Sequence, residues 1–202
     1  MAKLNRNKRK DSWLTENYSK SWKFIKESRK FIYSIIAVFF AFALFGFFIP
    51  APESIAQEIM RILEQILRET EGLSQFELIR FIFLNNIQSS FFGVFLGVFL
   101  GIFPIFFAVF NGYVLGFVAD IAVDAGGFGV LWRLLPHGIF ELPAIFISLG
   151  MGVRFGISVL KIRNIKTLKE HLYDLVRAFV LVVLPLLIIA ALIEGSLIAL
   201  GR

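Results

Sequence analysis

Apolar residues in this chain come in long unbroken blocks, not in alternating or periodic stripes. Such blocks predict membrane-crossing helices, because a helix needs about 20 apolar residues to cross about 30 Å of hydrocarbon. A soluble domain of this size would alternate its faces, and a barrel would show short alternating segments. The predicted fold class is therefore all-α, a polytopic transmembrane helical bundle with about five membrane-inserted helices. Their expected positions are 31–49, 80–102, 104–120, 138–160 and 177–200. The block 78–119 is long for one span and short for two. It divides near residues 101–104, giving either two full spans or a re-entrant hairpin whose non-helical backbone protein must bury.

Between the blocks the pattern turns amphipathic. Leu14, Tyr18, Trp22 and Ile25 recur at helical spacing among Lys20, Lys23, Lys26 and Lys30. This is a basic amphipathic segment on the membrane surface, or a juxtamembrane linker with snorkelling lysines. Residues 1–12, with Lys3, Arg6, Lys8, Arg9 and Lys10, are expected to be a disordered or lipid-facing tail. The chain thus divides into a basic segment, 1–30, and a transmembrane domain, 31–202. Pro50 and Pro52 stop the first span. Ile55, Ile59, Ile62, Ile66 and Leu67 then form one stripe beside Glu58, Arg61, Glu64 and Arg68, an amphipathic interfacial helix over 53–71. Gly72 ends it, and Ser74 with Glu77 predicts a capping box for the next helix.

Charge orients this arrangement. The chain holds 21 Lys and Arg against 15 Asp and Glu, and the excess gathers in the first thirty residues and in the loop of Lys161, Arg163, Lys166 and Lys169. Basic segments stay on the cytoplasmic side. The N-terminus and the 161–177 loop are therefore expected inside the cell membrane, the acid-rich 53–80 stretch and the C-terminus outside. This parity requires the 78–119 block to enter and leave. In such a protein basic clusters address the lipid bilayer and its anionic lipids, not nucleic acid. The first apolar block begins too late, and is too long, for a cleaved signal peptide. With no cysteine in the chain, disulfides and thiolate chemistry are excluded.

Small residues recur within the apolar blocks. Gly93, Gly97 and Gly101 repeat every fourth residue, and Ser148, Gly152 and Gly156 do the same. Such stripes let helices meet backbone to backbone, either inside the bundle, at a homo-oligomer face or at a hinge. Pro104 and Pro185 mark expected kinks. The polar candidates are few. Asn85, Asn86 and Gln88 start an apolar helix and suit capping or interfacial hydrogen bonds. Arg133, His137 and Glu141 follow at four-residue spacing, and Asn111 lies within reach of a bond to His137 or Glu141. A carboxylate placed in a membrane needs a partner. Three readings compete: a structural polar knot, a ligand, proton or ion pathway, and a catalytic or metal site. The last is weakest, since HExxH, GxSxG and P-loop patterns are all missing. No cofactor is implied.

Taken together, Asn85-Asn86, the Gly93/Gly97/Gly101 ladder into Pro104, Asn111-Gly112 with Gly116, and Pro136-His137-Gly138 with Glu141-Leu142-Pro143-Ala144 resemble the stage II sporulation protein M (SpoIIM, or DUF95) family. The resemblance covers about 30–200. It implies a multi-span membrane protein. In endospore formers the namesake is a scaffold in engulfment for a wall-degrading machine whose hydrolytic activities belong to its partners. Other members occur in organisms that make no spores, archaea included. Asn86, Asn111, His137 and Glu141 carry over as family-defining residues without an assigned chemistry. The expectation is a non-enzymatic scaffold or assembly subunit, self-associating through its glycine faces, with membrane or extracytoplasmic protein partners. The alternative is a channel or permease-like subunit with a polar path through Asn111, His137 and Glu141, and an intramembrane enzyme comes last.

Overall fold

The computed structural model of the chain describes the backbone of residues 2–200 and the side chains of 13–132, 138, 139 and 141–200. Seven α-helices follow one another: α1 (Ala2–Phe48), α2 (Glu53–Thr70), α3 (Gln75–Phe95), α4 (Ile102–Gly126), α5 (Leu135–Lys161), α6 (Ile165–Ala178) and α7 (Leu184–Leu200). Among the described residues no strand interrupts them. Five helical stretches are long and apolar enough to cross a bilayer: Trp13–Phe48, Gln75–Val98, Ile102–Gly126, Glu141–Lys161 and Ile165–Leu200. The all-α polytopic class therefore holds.

α1 is one helix of 47 residues. No proline occurs before Pro50 and no glycine before Gly46, so nothing in its sequence breaks the backbone ladder. Residues 2–12 accordingly continue the helix instead of forming a separate tail, and the helix runs unbroken through residue 30. The 24 residues of Gln75–Val98 and the 25 of α4 each extend about 36 Å, enough for two full crossings and longer than the arms of a re-entrant hairpin. A tight turn joins them where the sequence suggested a division. Leu100 (φ +60°) and Gly101 (φ +75°) both adopt the left-handed region, which costs a leucine about 1–2 kcal/mol and a glycine little.

Local signals account for most element ends. The backbone N–H of Ser74 donates to the Glu77 carboxylate at 2.9 Å, and the Ser74 hydroxyl accepts from Glu77 N–H, completing the expected capping box. Gly72 turns the chain with φ +75°. Pro104 does not kink α4; it is the third residue of the helix, where its missing N–H had no partner to lose. Pro185 does disturb its helix: a π-turn at Phe179–Val183 separates α6 from α7 just before it. Wider winding there accommodates the proline ring against the preceding turn. The basic loop at 161–177 is mostly the helix α6, capped by Asn164, whose side chain accepts from Lys166 N–H at 2.9 Å.

α5 occupies the middle of the bundle and touches α1, α3, α4 and α7, while α1 lies along α4 and α3 along α7. The core holds Ile35, Phe39, Val94, Leu149, Met151, Leu175 and Leu187. Phe39 and Phe146 meet edge to face at 5.1 Å. Phe45, Phe99, Phe106, Phe110 and Leu192 face outward, as lipid contact requires. α2 stands apart, with no extensive packing against any other helix.

The glycine stripes mesh with each other inside the chain. A Cβ on Gly97 would stand 2.8 Å from the Gly152 Cα, one on Gly101 3.1 Å from the Val153 Cα, and one on Gly156 2.8 Å from the Leu100 carbonyl carbon. Gly93 and Gly152 complete the same seam against Leu149 and the Gly93 carbonyl. A second seam sets Gly112 and Gly116 of α4 against Phe39 and Ala43 of α1. These faces are occupied within one chain, so the expected self-association through Gly93, Gly97, Gly101, Gly152 and Gly156 has no free surface there.

Candidate functional site

α3 begins at Gln75, so Asn85 and Asn86 are mid-helix residues and not the caps that their place ahead of the apolar run suggested. Asn86 points inward and is buried, as is Glu141 on α5. The Asn86 side-chain amide donates to the Glu141 Oε2 at 2.6 Å. Two spans 55 residues apart are thereby joined by an amide–carboxylate bond where bulk water cannot compete for either group. This pairing was not among the partners expected for Glu141, although Asn86 and Glu141 were each singled out. Nothing in the spacing of residues 86 and 141 relates them; the glycine seam does, by setting the register of α3 on α5.

One turn further along α3 and two along α5, the Ser148 hydroxyl donates to the Ser90 carbonyl at 3.0 Å, a second polar tie between the two helices. Asn111 does not reach across to Glu141. Its side-chain amide donates to the Phe107 carbonyl of its own helix at 2.8 Å. It nonetheless faces the same space, for Asn85, Asn86, Ser89, Ser90, Asn111 and Glu141 line a cavity of about 200 Å³ between α3, α4 and α5. Asn111 and Glu141 also border a larger, mainly apolar cleft of about 510 Å³ between α1, α4 and α5. Arg133 and His137 were expected to partner Glu141. Their backbones belong to the 3₁₀ segment Phe128–Leu134 and the start of α5, and their side chains lie outside the described residues.

Four of the expected polar residues, Asn85, Asn86, Asn111 and Glu141, thus share one cavity. Its carboxylate is held and shielded by an amide, an arrangement suited to fixing helices or holding a small polar guest. Replacing Glu141 with Gln retains an oxygen that can accept from Asn86 and should cost only about 1 kcal/mol, whereas Glu141→Leu strands the buried amide and should cost about 1–3 kcal/mol. Thermal unfolding in detergent measures both.

A further polar anchor went unrecognised in the sequence. Arg154 of α5 reaches α1, donating to the Phe24 carbonyl at 2.9 Å, the Ser28 hydroxyl at 3.2 Å and the Glu27 carboxylate at 2.6 Å. Its guanidinium also lies 4.5 Å over the Phe24 ring. A single arginine inside an apolar glycine-rich segment was the available signal, because such a charge needs a partner on a neighbouring helix. Across from it, His171 of α6 meets Phe24 edge-on at 6.4 Å. The N-terminal half of α1, the end of α5 and α6 therefore share one end of the bundle. Gln75 donates to Ser196 at 3.0 Å at the other end, where α7 closes on the start of α3.

Fold and site together define a class: a multi-pass helical membrane protein with glycine-meshed spans and a buried amide–carboxylate pair. The sequence profile described as Stage II sporulation protein M matches residues 35–197. The chain belongs to that family. It is also similar to an uncharacterised protein of Methanocaldococcus jannaschii, 34% identical over 77 residues. That stretch is 36% of this chain and 36% of the archaeal one, so the chain matches about a third of the length of the curated relative. No solved structure matches it.

Proposed function

We propose that this chain is a non-enzymatic scaffold or assembly subunit of a membrane complex, with its basic end in the cytoplasm and its C-terminus outside. The observation that carries the reading is α2. This helix of 18 residues joins the first two spans yet is hardly held by the bundle. Only Ile59 of its apolar stripe is buried, while Ile55, Ile62, Ile66 and Leu67 are exposed. The opposite face carries Glu58 with Arg61 and Glu64 with Arg68 as exposed pairs, each worth little to stability. A helix built this way can rest its stripe in the outer headgroup layer and offer its charged face to a protein partner. With the glycine ladders occupied, other chains would meet it through α2.

Orientation rests on charge. Residues 2–30 and 154–177 hold sixteen of the 21 basic residues and only five of the 15 acidic ones, and they share one end of the bundle. Placing that end in the cytoplasm satisfies the preference of Lys and Arg for the inner side. The scaffold role of the sporulation namesake supports the same assignment of function.

The absence of native cysteine gives a direct test. Glu64→Cys, carrying a cleavable bifunctional reagent in native membranes, is expected to give discrete adducts of defined mass, while Phe106→Cys on the lipid face gives none. A second reading, transport, is favoured by the polar cavity beside Glu141. Ion or solute flux through the purified protein in liposomes, lost in Glu141→Gln, together with no adduct at Glu64, would replace the scaffold by a transporter.

A further inference from the structure

α3 carries polar side chains that have no hydrogen-bond partner among the described residues, and they face two ways. Inward, the Ser90 hydroxyl is 1% exposed and unpaired, whereas Ser21, Ser28 and Ser158 each donate to the carbonyl four residues earlier at 2.8–2.9 Å. Outward, Gln88 is exposed and equally unpaired, and so is Asn85 on the turn before it. The depth of Gln88 makes its state the more demanding one. It lies thirteen residues after Gln75 and ten before Val98, the ends of this span, so about 20 Å and about 15 Å of helix separate it from the two surfaces. A side chain of glutamine's length does not snorkel that far. Hydrocarbon offers its carboxamide neither donor nor acceptor, and a polar group there needs protein to bond.

The neighbours of Gln88 describe the surface around it. Leu84, Gln88 and Phe91 recur at the four- and three-residue spacing of a helix–helix seam, and Leu84, Phe91 and Phe92 are 48%, 45% and 44% exposed. An apolar stripe with one polar residue at its centre is how paired helices fix their register. A carboxamide is its own complement, with two N–H donors and a carbonyl acceptor. A second copy of the chain, inserted in the same direction, brings the same carboxamide to the same depth. A two-fold axis beside α3 sets the two face to face. A lipid tail, or an apolar span of another protein, brings nothing to bond.

We propose that two copies of this chain associate in the membrane through α3, with Gln88 bonded to Gln88 of the second copy between Leu84 and Phe91. The two helices cross near Gln88 and diverge toward α2, where Arg80, exposed on the same side of α3 about 12 Å away, keeps to the headgroups. This surface lies apart from the glycine seams, which are filled within one chain, and from the buried Asn86–Glu141 pair. α2, outside the hydrocarbon, stays free for other proteins. The proposal goes beyond the scaffold reading and does not depend on it, because a dimer can serve as scaffold or transporter alike.

The test is energy transfer between copies of the purified full chain in phosphatidylcholine liposomes, labelled at Lys169→Cys on the exposed side of α6. Transfer above that of randomly placed monomers is expected, falling as lipid dilutes the protein. Gln88→Leu should need about tenfold more protein per lipid to reach the same transfer, two hydrogen bonds between helices in a membrane being worth about that much. Its Tm in excess detergent, where copies are apart, should not fall, which separates a lost contact from a lost fold. Random transfer in the parent at every dilution overturns the proposal, as does an unchanged dilution curve in Gln88→Leu. Cross-linking with Gln88 intact places the contact independently of that variant. Leu84→Cys should be joined to its second copy by oxidation, whereas Phe106→Cys on α4 should not, and the reverse pattern overturns the assignment to α3. The purified chain is used alone, so none of these outcomes bears on adducts to other proteins at Glu64, and failure here is separable from failure of the scaffold reading.

Discussion

Gly156→Ala is expected to lower the melting temperature in detergent by roughly 6–12 °C, corresponding to a loss of about 3 kcal/mol. The new methyl would meet backbone on every side: the Gly97 carbonyl oxygen, the Gly101 nitrogen and the Leu100 carbonyl carbon. No flexible side chain can swing away, so the helices themselves must separate. Separation carries a second cost, because the dispersion contacts of the whole seam weaken with distance. Inside a bilayer those contacts do more of the work than in water, as lipid removes the hydrophobic drive between helices. The strained turn at Leu100 and Gly101 leaves that side of the seam little freedom to relax. Gly129→Ala is the control: a Cβ there meets nothing within 4 Å, and the change should be within about 0.5 kcal/mol of neutral. Equal behaviour of the two variants would refute the account of the seam.

Arg154→Leu is the second large effect, with an expected loss of about 2–4 kcal/mol from three hydrogen bonds and a cation–π contact. The guanidinium ties α5 to α1 through Phe24, Glu27 and Ser28 at once. Its side chain is 16% exposed, whereas that of Glu27 is 46% exposed. The acid left behind can therefore regain water, which keeps the loss below that of a fully buried pair. Arg154→Lys should recover less than half of the stability, since one ammonium cannot span three acceptors and a ring in fixed geometry. Melting curves of the two variants, and of Glu27→Gln as the mildest perturbation, should rank in that order. Full rescue by lysine would show that charge alone, without the fork geometry, holds the two helices.

The fold was legible where one segment carries its own signal. Long apolar blocks announced the spans, Ser74 and Glu77 announced the start of α3, and Gly101 marked the turn into α4. The in-and-out pair that charge parity asked of 78–119 is matched by two helices, each long and apolar enough to cross. Signals were missed where they compete with a stronger one. The basic residues of 161–177 read as an orienting loop and concealed Asn164 as a cap, with Leu168, Leu172 and Leu175 at helical spacing behind it. At the site, Asn86, Asn111 and Glu141 stood out because polar groups are costly in hydrocarbon. Their pairing did not, because partners on separate helices depend on register and rotation. Ser90 was not singled out at all: a serine on a helix ordinarily bonds its own backbone, and only the structure reveals that this one does not.

The uninterrupted length of α1 has a mechanical consequence. At 47 residues it extends about 70 Å, more than twice the thickness of the hydrocarbon layer. Within the bundle it is clasped by the Gly112 and Gly116 seam on α4 and pinned to α5 by Arg154. A stiff rod gripped along one part of its length is a lever. Force applied at its basic tip, by a lipid surface or a bound protein, is delivered to α4 and α5 as torque and not absorbed in a linker. The same two helices help wall the cavity at Glu141, so a pull on the basic tip and a change at the Asn86–Glu141 pair act on one shared joint.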